Sequence, residues 1–188
     1  MLAYVFWHWP QAGHAAAEYE QLQRNFHDAL AQTNVAGFQR SFVFRLTGST
    51  PWLGATPAYA DWYLVDGFAA LDALNVAAIS GPCEQPHAAV ARAMGGGAGS
   101  LFGLRGDVAP GVAGARYATW LTKPRSMTYD TFYGTVAGLA SSQESSLWRR
   151  QMVLGPTPEF GLLTPEPLVF DRIFQPLSLE LSPIWEQD

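Results

Sequence analysis

One stretch of this chain is written twice. Residues 40–57 read RSFVFRLTGSTPWLGATP, and residues 149–165 read RRQMVLGPTPEFGLLTP. Each copy runs from Arg through an apolar segment to Gly and Thr-Pro, then to a second Gly and a second Thr-Pro. The later copy holds one more residue between its two Thr-Pro pairs. A self-match of this kind calls for an architecture built from two like units. Within each loop the prolines preset φ and push the residue before them towards extended backbone. Such paired loops either cross between two sheets or rim a pocket, with Trp52 and Phe160 as its walls.

The periodicity on either side agrees with duplication. Residues 2–9 are β-branched and aromatic and stop at Pro10, which predicts a strand. Alternation puts Tyr4, Phe6 and His8 on one face and Val5, Trp7 and Trp9 on the other. Residues 13–32 switch to helical spacing through Tyr19, Leu22, Phe26 and Leu30. Strands over 38–47 and 61–65 follow. A helix over 67–80 turns Phe68, Leu71, Leu74 and Ala78 to one side, and a short helix containing Pro86 runs to Met94. Gly95-Gly96-Gly97-Ala98-Gly99 reads as a break, and 100–105 as a strand. The second half restarts with a strand over 115–123, a helix over 128–140, a polar turn at 141–146 and a strand over 147–154. It closes with a strand or short helix at 168–174 and a strand over 177–182.

The first half is therefore β-α-β-β-α-β, the ferredoxin-like unit, and the second repeats it without a full second helix. A sheet covered by helices on one face must bury the other against a second sheet. The expected fold is α+β: two tandem ferredoxin-like (βαββαβ) units, 1–107 and 115–188, packed sheet to sheet as a single-chain α/β barrel. The second unit has a truncated second helix. Residues 108–114 are the joint, and the two units share one core. Composition fits extensive burial, with 48% hydrophobic residues, 14% charged residues and seven Trp. A net charge of −5 with no basic block argues against nucleic-acid or anionic-membrane partners. No segment reads as a signal peptide or a bilayer span, so the expected location is the cytoplasm. Cys83, as the single cysteine, excludes an internal disulfide.

This element order resembles the dimeric α/β-barrel superfamily, here as a fused tandem repeat. Residues 147–160, LWRRQMVLGPTPEF, also resemble a bacterial family that has no assigned activity. The superfamily includes cofactor-free monooxygenases, lactone isomerases, haem-dependent peroxidases and chlorite-decomposing enzymes, so its fold narrows the chemistry little. The resemblance implies a monooxygenase- or isomerase-like enzyme, or a binder, using a barrel cavity for a small organic ligand. The alternatives are a non-catalytic scaffolding module and a haem-binding protein. No cofactor is otherwise implied, and the chain is expected to be a monomer or a homodimer.

Several residues have chemistry suited to such a site. His8 is a base or haem ligand, or simply a hydrogen-bonded histidine at a strand end. Asp61 and Tyr63 share one strand face and pair a carboxylate with a phenol. Arg45, Arg149 and Gln151 would hold a polar substrate, unless the arginines only tie strands together through salt bridges. Arg149 and Arg150 must point to opposite faces. Trp7 and Trp62 would provide ring surface. Glu84 and His87, one helical turn apart, lack the partners that a metal needs. His27 falls on the polar side of its helix and reads as solvated.

Overall fold

The computed structural model describes residues 1–106, 111–140, 144–152 and 155–186. Eight strands form a closed antiparallel barrel: Leu2–Pro10 (β1), Phe38–Thr47 (β2), Ala58–Val65 (β3), Met94–Arg105 (β4), Tyr117–Leu121 (β5), Ser146–Arg150 (β6), Phe160–Thr164 (β7) and Leu177–Glu186 (β8). Round the barrel the first four run β4-β1-β3-β2 and the second four β8-β5-β7-β6. This is one ferredoxin-like order written twice. The sheets are stitched together where β2 meets β8 and β4 meets β6. Closure leaves no open sheet edge.

Helices Ala16–Ala31 (α1), Phe68–Ala78 (α2) and Glu84–Ala93 (α3) lie outside the first half, and Tyr129–Leu139 (α4) outside the second. Thr128 caps α4, its hydroxyl accepting from the Thr131 amide. The shortened second helix of the later half is the 3₁₀ turn Arg172–Phe174. Among the described residues, no helix is long and apolar enough to cross a membrane.

The barrel interior is filled with rings. Trp7, Trp62, Trp120 and Trp148 are each at most 1% exposed and interlock with Phe42, Phe44 and Phe102. The Trp7 and Trp120 ring centroids are 5.3 Å apart at 72°, an edge-on geometry that aromatic quadrupoles favour. Trp52, from the first repeated loop, enters the same cluster against Trp7 and Trp120. Phe160 faces the other way and packs on Phe132 of α4. The two loops therefore do not form matched walls of one pocket. Val112 from the expected joint and Ala115, which follows it, are buried in this core as well. Residue 107 at the end of the expected first unit, 108–110 of the joint, 141–143 of the polar turn and 153–154 of the strand expected over 147–154 lie outside the described residues.

The glycine run at 95–99 corrects the expected break, because it is part of β4. Phe6 pairs with Gly99, His8 with Gly97 and Trp9 with Gly96. A Cβ at Gly96 would lie 2.6 Å from the Trp9 ring, one at Gly97 2.5 Å from Phe6, and one at Gly99 2.6 Å from the Tyr4 hydroxyl. The bare strand lets the β1 aromatics lie across their neighbour. Each strand glycine costs about 0.5–1 kcal/mol, which the burial of those rings offsets. Phe68 is a second correction: it opens α2 at 52% exposure, while Ala70 and Leu74 bury.

Candidate functional site

Pairing of β1, β3 and β2 lays a grid of side chains on the outer wall of the barrel. Tyr4 stands opposite Tyr63, Phe6 opposite Asp61 and His8 opposite Tyr59. On the other side of β3, Ser41 pairs with Tyr63 and Arg45 with Tyr59. Because side chains alternate, all of these project from the same wall, away from the Trp-filled interior. Helix α1 lies over them and presents Tyr19, Gln23 and His27, spaced four residues apart on one stripe.

Asp61 is the centre of the array and is 3% exposed. Its Oδ1 lies 3.0 Å from His8 Nε2, and its Oδ2 accepts from the Tyr63 hydroxyl at 3.0 Å. His27 Nε2 is 3.5 Å from Oδ2 and 3.3 Å from the Tyr63 oxygen. Burial alone would raise the Asp61 pKa, but the charge and hydrogen bonds of His8 and His27 outweigh it and hold the carboxyl well below its usual range. Tyr63 goes the other way: burial and the adjacent Asp61 charge keep its hydroxyl protonated far above the ordinary phenol range.

A carboxylate only accepts, so His8 holds a proton on Nε2, and its Nδ1 meets the Tyr19 hydroxyl at 2.7 Å. Both His8 nitrogens are thus engaged. His27 Nδ1 meets the Ser41 hydroxyl at 2.8 Å. Both hydroxyls can donate or accept, so each imidazole keeps its Nδ1 partner whichever way the proton lies. The imidazole that sequence reading placed in solvent is completely buried and lies within reach of both Tyr63 and Asp61. Its signal was the Tyr19-Gln23-His27 stripe, obscured because the apolar positions of α1 were sufficient to define a helix.

A cavity of about 430 Å³ opens beside this network, between the wall and helices α1, α2 and α3, in the size range of small-molecule sites. Tyr4, Phe6, Asp61 and Tyr63 form its sheet side, and Phe26, Leu30, Leu74 and Val90 supply apolar helix surface. Exposed Asn75 and Ile79 mark its open side. Asp61 and Tyr63 therefore front the space with His8 and His27 behind them. His87, from α3, also lines it and packs on Phe26.

The other predicted residues lie elsewhere. Trp7 and Trp62 are sealed inside the barrel, and the packing there places the cavity outside the barrel, where a barrel-interior cavity was expected. Arg45 is on the same outer wall, but its Nε donates to Glu20 at 2.8 Å, and Glu20 also accepts from Tyr59. Arg149 points outwards to Glu159 at 2.8 Å, with its guanidinium 4.6 Å above the Tyr129 ring. Arg150 shares the face of Trp148 and donates to the carbonyls of Gly155 and Thr157. Gln151 donates to the Arg149 carbonyl at 3.2 Å. None of Arg45, Arg149, Arg150 and Gln151 borders the cavity.

For a haem iron the two histidines of the network are unsuited, since both His8 nitrogens are engaged and His27 sits behind Tyr63 and Asp61; His87, on the cavity wall, is the histidine placed to be an axial donor. Among the described residues no Lys or Arg lines the cavity to receive propionates.

No family model and no curated relative matches the sequence. Solved structures match it in fold over nearly the whole chain. A candidate monooxygenase from Fusobacterium nucleatum aligns with TM-score 0.64 at 8% identity, covering 100% of this chain and 94% of its own. An anthrone oxidase-like protein aligns with TM-score 0.56 at 8% identity, covering 99% and 92%. A candidate chlorite dismutase aligns with TM-score 0.50 at 13% identity, covering 98% and 96%. At these identities the likeness speaks for the fold alone, a mixed α+β barrel of the ferredoxin-like kind.

Proposed function

We propose that this chain is a small-molecule oxygenase of the cofactor-independent kind, acting in the cavity beside Asp61 and Tyr63 on a flat, largely apolar ketone. The observation that carries this reading is a phenol and a carboxylate at the floor of an apolar cavity, backed by two buried imidazoles. The fold neighbours described as monooxygenase and anthrone oxidase-like support the same class.

The proposed proton path is short. An acidic C–H beside the ketone gives its proton to the Tyr63 oxygen while the Tyr63 hydroxyl turns from Asp61 Oδ2 and passes its own to Nε2 of a neutral His27 that carries its proton on Nδ1. Tyr63 never becomes charged, consistent with its raised pKa, and Asp61 stabilises the imidazolium formed. The electron-rich enolate then reacts with dioxygen. For anthrone, the methylene loses two hydrogens and gains one oxygen atom, and the second oxygen atom leaves as water.

The test is oxygen uptake and anthraquinone formation from anthrone by the purified protein, followed by Tyr63→Phe and His27→Gln. Loss of the relay should lower kcat by about 10²- to 10⁴-fold. Absence of turnover above the uncatalysed rate, or full turnover in Tyr63→Phe, would remove the proposal.

A further inference from the structure

His87 lies on α3, on the helical side of the cavity, and its ring meets that of Phe26 edge-on, with centroids 5.6 Å apart at 64°. Its ring nitrogens hydrogen-bond to no described residue, and the side chain is only half-buried, so they are open to whatever enters. The other polar groups are placed differently. Gln23 is completely buried, Asn75 is exposed at the opening, and Tyr4 belongs to the sheet side, where it pairs with Tyr63. An imidazole keeps at least one N–H in either protonation state, so His87 can always donate.

We infer that His87 holds the ketone oxygen of a flat tricyclic substrate and stabilises the negative charge that develops there. The inference rests on the proposed function and adds to it the orientation and shape of the substrate. When the C–H proton leaves, its electron pair is delocalised onto the ketone oxygen, and that charge needs a donor in place. Asp61, a carboxylate that only accepts, cannot supply one. The Tyr63 hydroxyl is occupied at the carbon end. A donor on the helical side suits a substrate whose C–H and ketone stand at opposite ends of one ring, as the methylene and carbonyl of anthrone do. The N–H stays on the imidazole throughout, so the step forms one hydrogen bond and moves no second proton. The apolar surface from Phe6, Phe26 and Leu74 suits the outer rings.

Two probes of similar shape, neither with an acidic C–H, test the contact by titration calorimetry. Xanthone has the ketone of anthrone with a ring oxygen in place of the methylene; xanthene has a methylene in place of that ketone. The wild-type protein should bind xanthone about 3- to 10-fold more tightly, the range for one neutral hydrogen bond. The preference should vanish in His87→Leu and persist in His87→Gln, which keeps an N–H. Anthrone turnover by His87→Leu should fall about 10²- to 10³-fold, the loss expected for one oxyanion donor. Equal binding of the two probes, binding of neither, or a preference that survives in His87→Leu would each overturn the inference. So would a Soret band on adding hemin that His87→Leu abolishes, because His87 would then be an iron ligand. Equal probe binding with Tyr63-dependent anthrone turnover sinks the role of His87 alone. A xanthone preference without any turnover removes the oxygenase and leaves His87 as the group that binds the ketone.

Discussion

Replacing Gly161 with Ala tests whether the barrel interior is solid, and so where a ligand can be. Gly161 sits on β7 opposite Trp120 of β5 and Trp148 of β6. An added Cβ would lie 2.6 Å from the Trp120 ring, which is 1% exposed and has nowhere to retreat. Overpacking of this kind costs about 1–3 kcal/mol. Against it stands the lower chain entropy of the unfolded Ala variant, about 0.4–1 kcal/mol. The net expectation is a loss of about 1–2 kcal/mol, which for a chain of this size lowers Tm by roughly 2–8 °C.

Gly134→Ala is the matched control. That glycine is inside α4, is exposed, and has nothing within 4 Å of where its Cβ would be. The same methyl there should stabilise by about 0.5–1 kcal/mol, raising Tm by roughly 1–4 °C. Urea and thermal unfolding of both variants, with Gly161→Ala repeated in a Trp120→Phe background, complete the comparison. The methyl should cost less once the ring is smaller, a coupling that a double-mutant cycle isolates. If Gly161→Ala is as stabilising as Gly134→Ala, the interior has room, and the argument for a site outside the barrel loses its footing.

Two further outcomes follow from the charged groups. Asp61 titrates lower in the folded protein than in the unfolded chain, so its contribution to stability is present above the unfolded carboxyl range near pH 4 and is lost as pH falls towards the folded value. Asp61→Asn should therefore cost about 3–5 kcal/mol near neutrality and show a flatter acid limb than the wild type; identical urea midpoints for the two proteins at pH 6 would contradict the network. Arg149→Met removes a half-exposed pair with Glu159 and a contact with Tyr129. It should cost only about 0.5–1 kcal/mol and leave anthrone turnover unchanged, and a large fall in that turnover would place Arg149 at the site after all.

Alternation alone was enough to put Asp61 with Tyr63 on one face of their strand and His8 with Tyr4 and Phe6 on one face of theirs, because a period of two leaves no freedom once the strands are found; that the two faces form one wall follows from the register of β1 on β3. It also separated Arg149 from Arg150. It could not say which face of each strand was the barrel interior, since both faces of β1 and β3 are rich in rings. Trp7 and Trp62 were therefore assigned to a ligand when they belong to the core. His27 was missed for a different reason: polar residues on a helix read as solvated unless the sheet beneath offers them partners, and its partners, Ser41, Asp61 and Tyr63, come from two strands, β2 and β3. The glycines of β4 misled because their local preference for turns is overridden by rings that lie some ninety residues earlier in the chain.

The ring cluster inside the barrel draws on both halves of the sequence, from Ala3 to Phe102 and from Val112 to Leu181. Neither half encloses it alone. Cleaving the chain between the halves would expose a face of tryptophan on each piece, and the pieces would have to find each other again to hide it. Such a molecule has no partly melted state in which one half survives. Calorimetry should register its unfolding as one event, and tryptophan emission should report the same midpoint whichever half is disturbed.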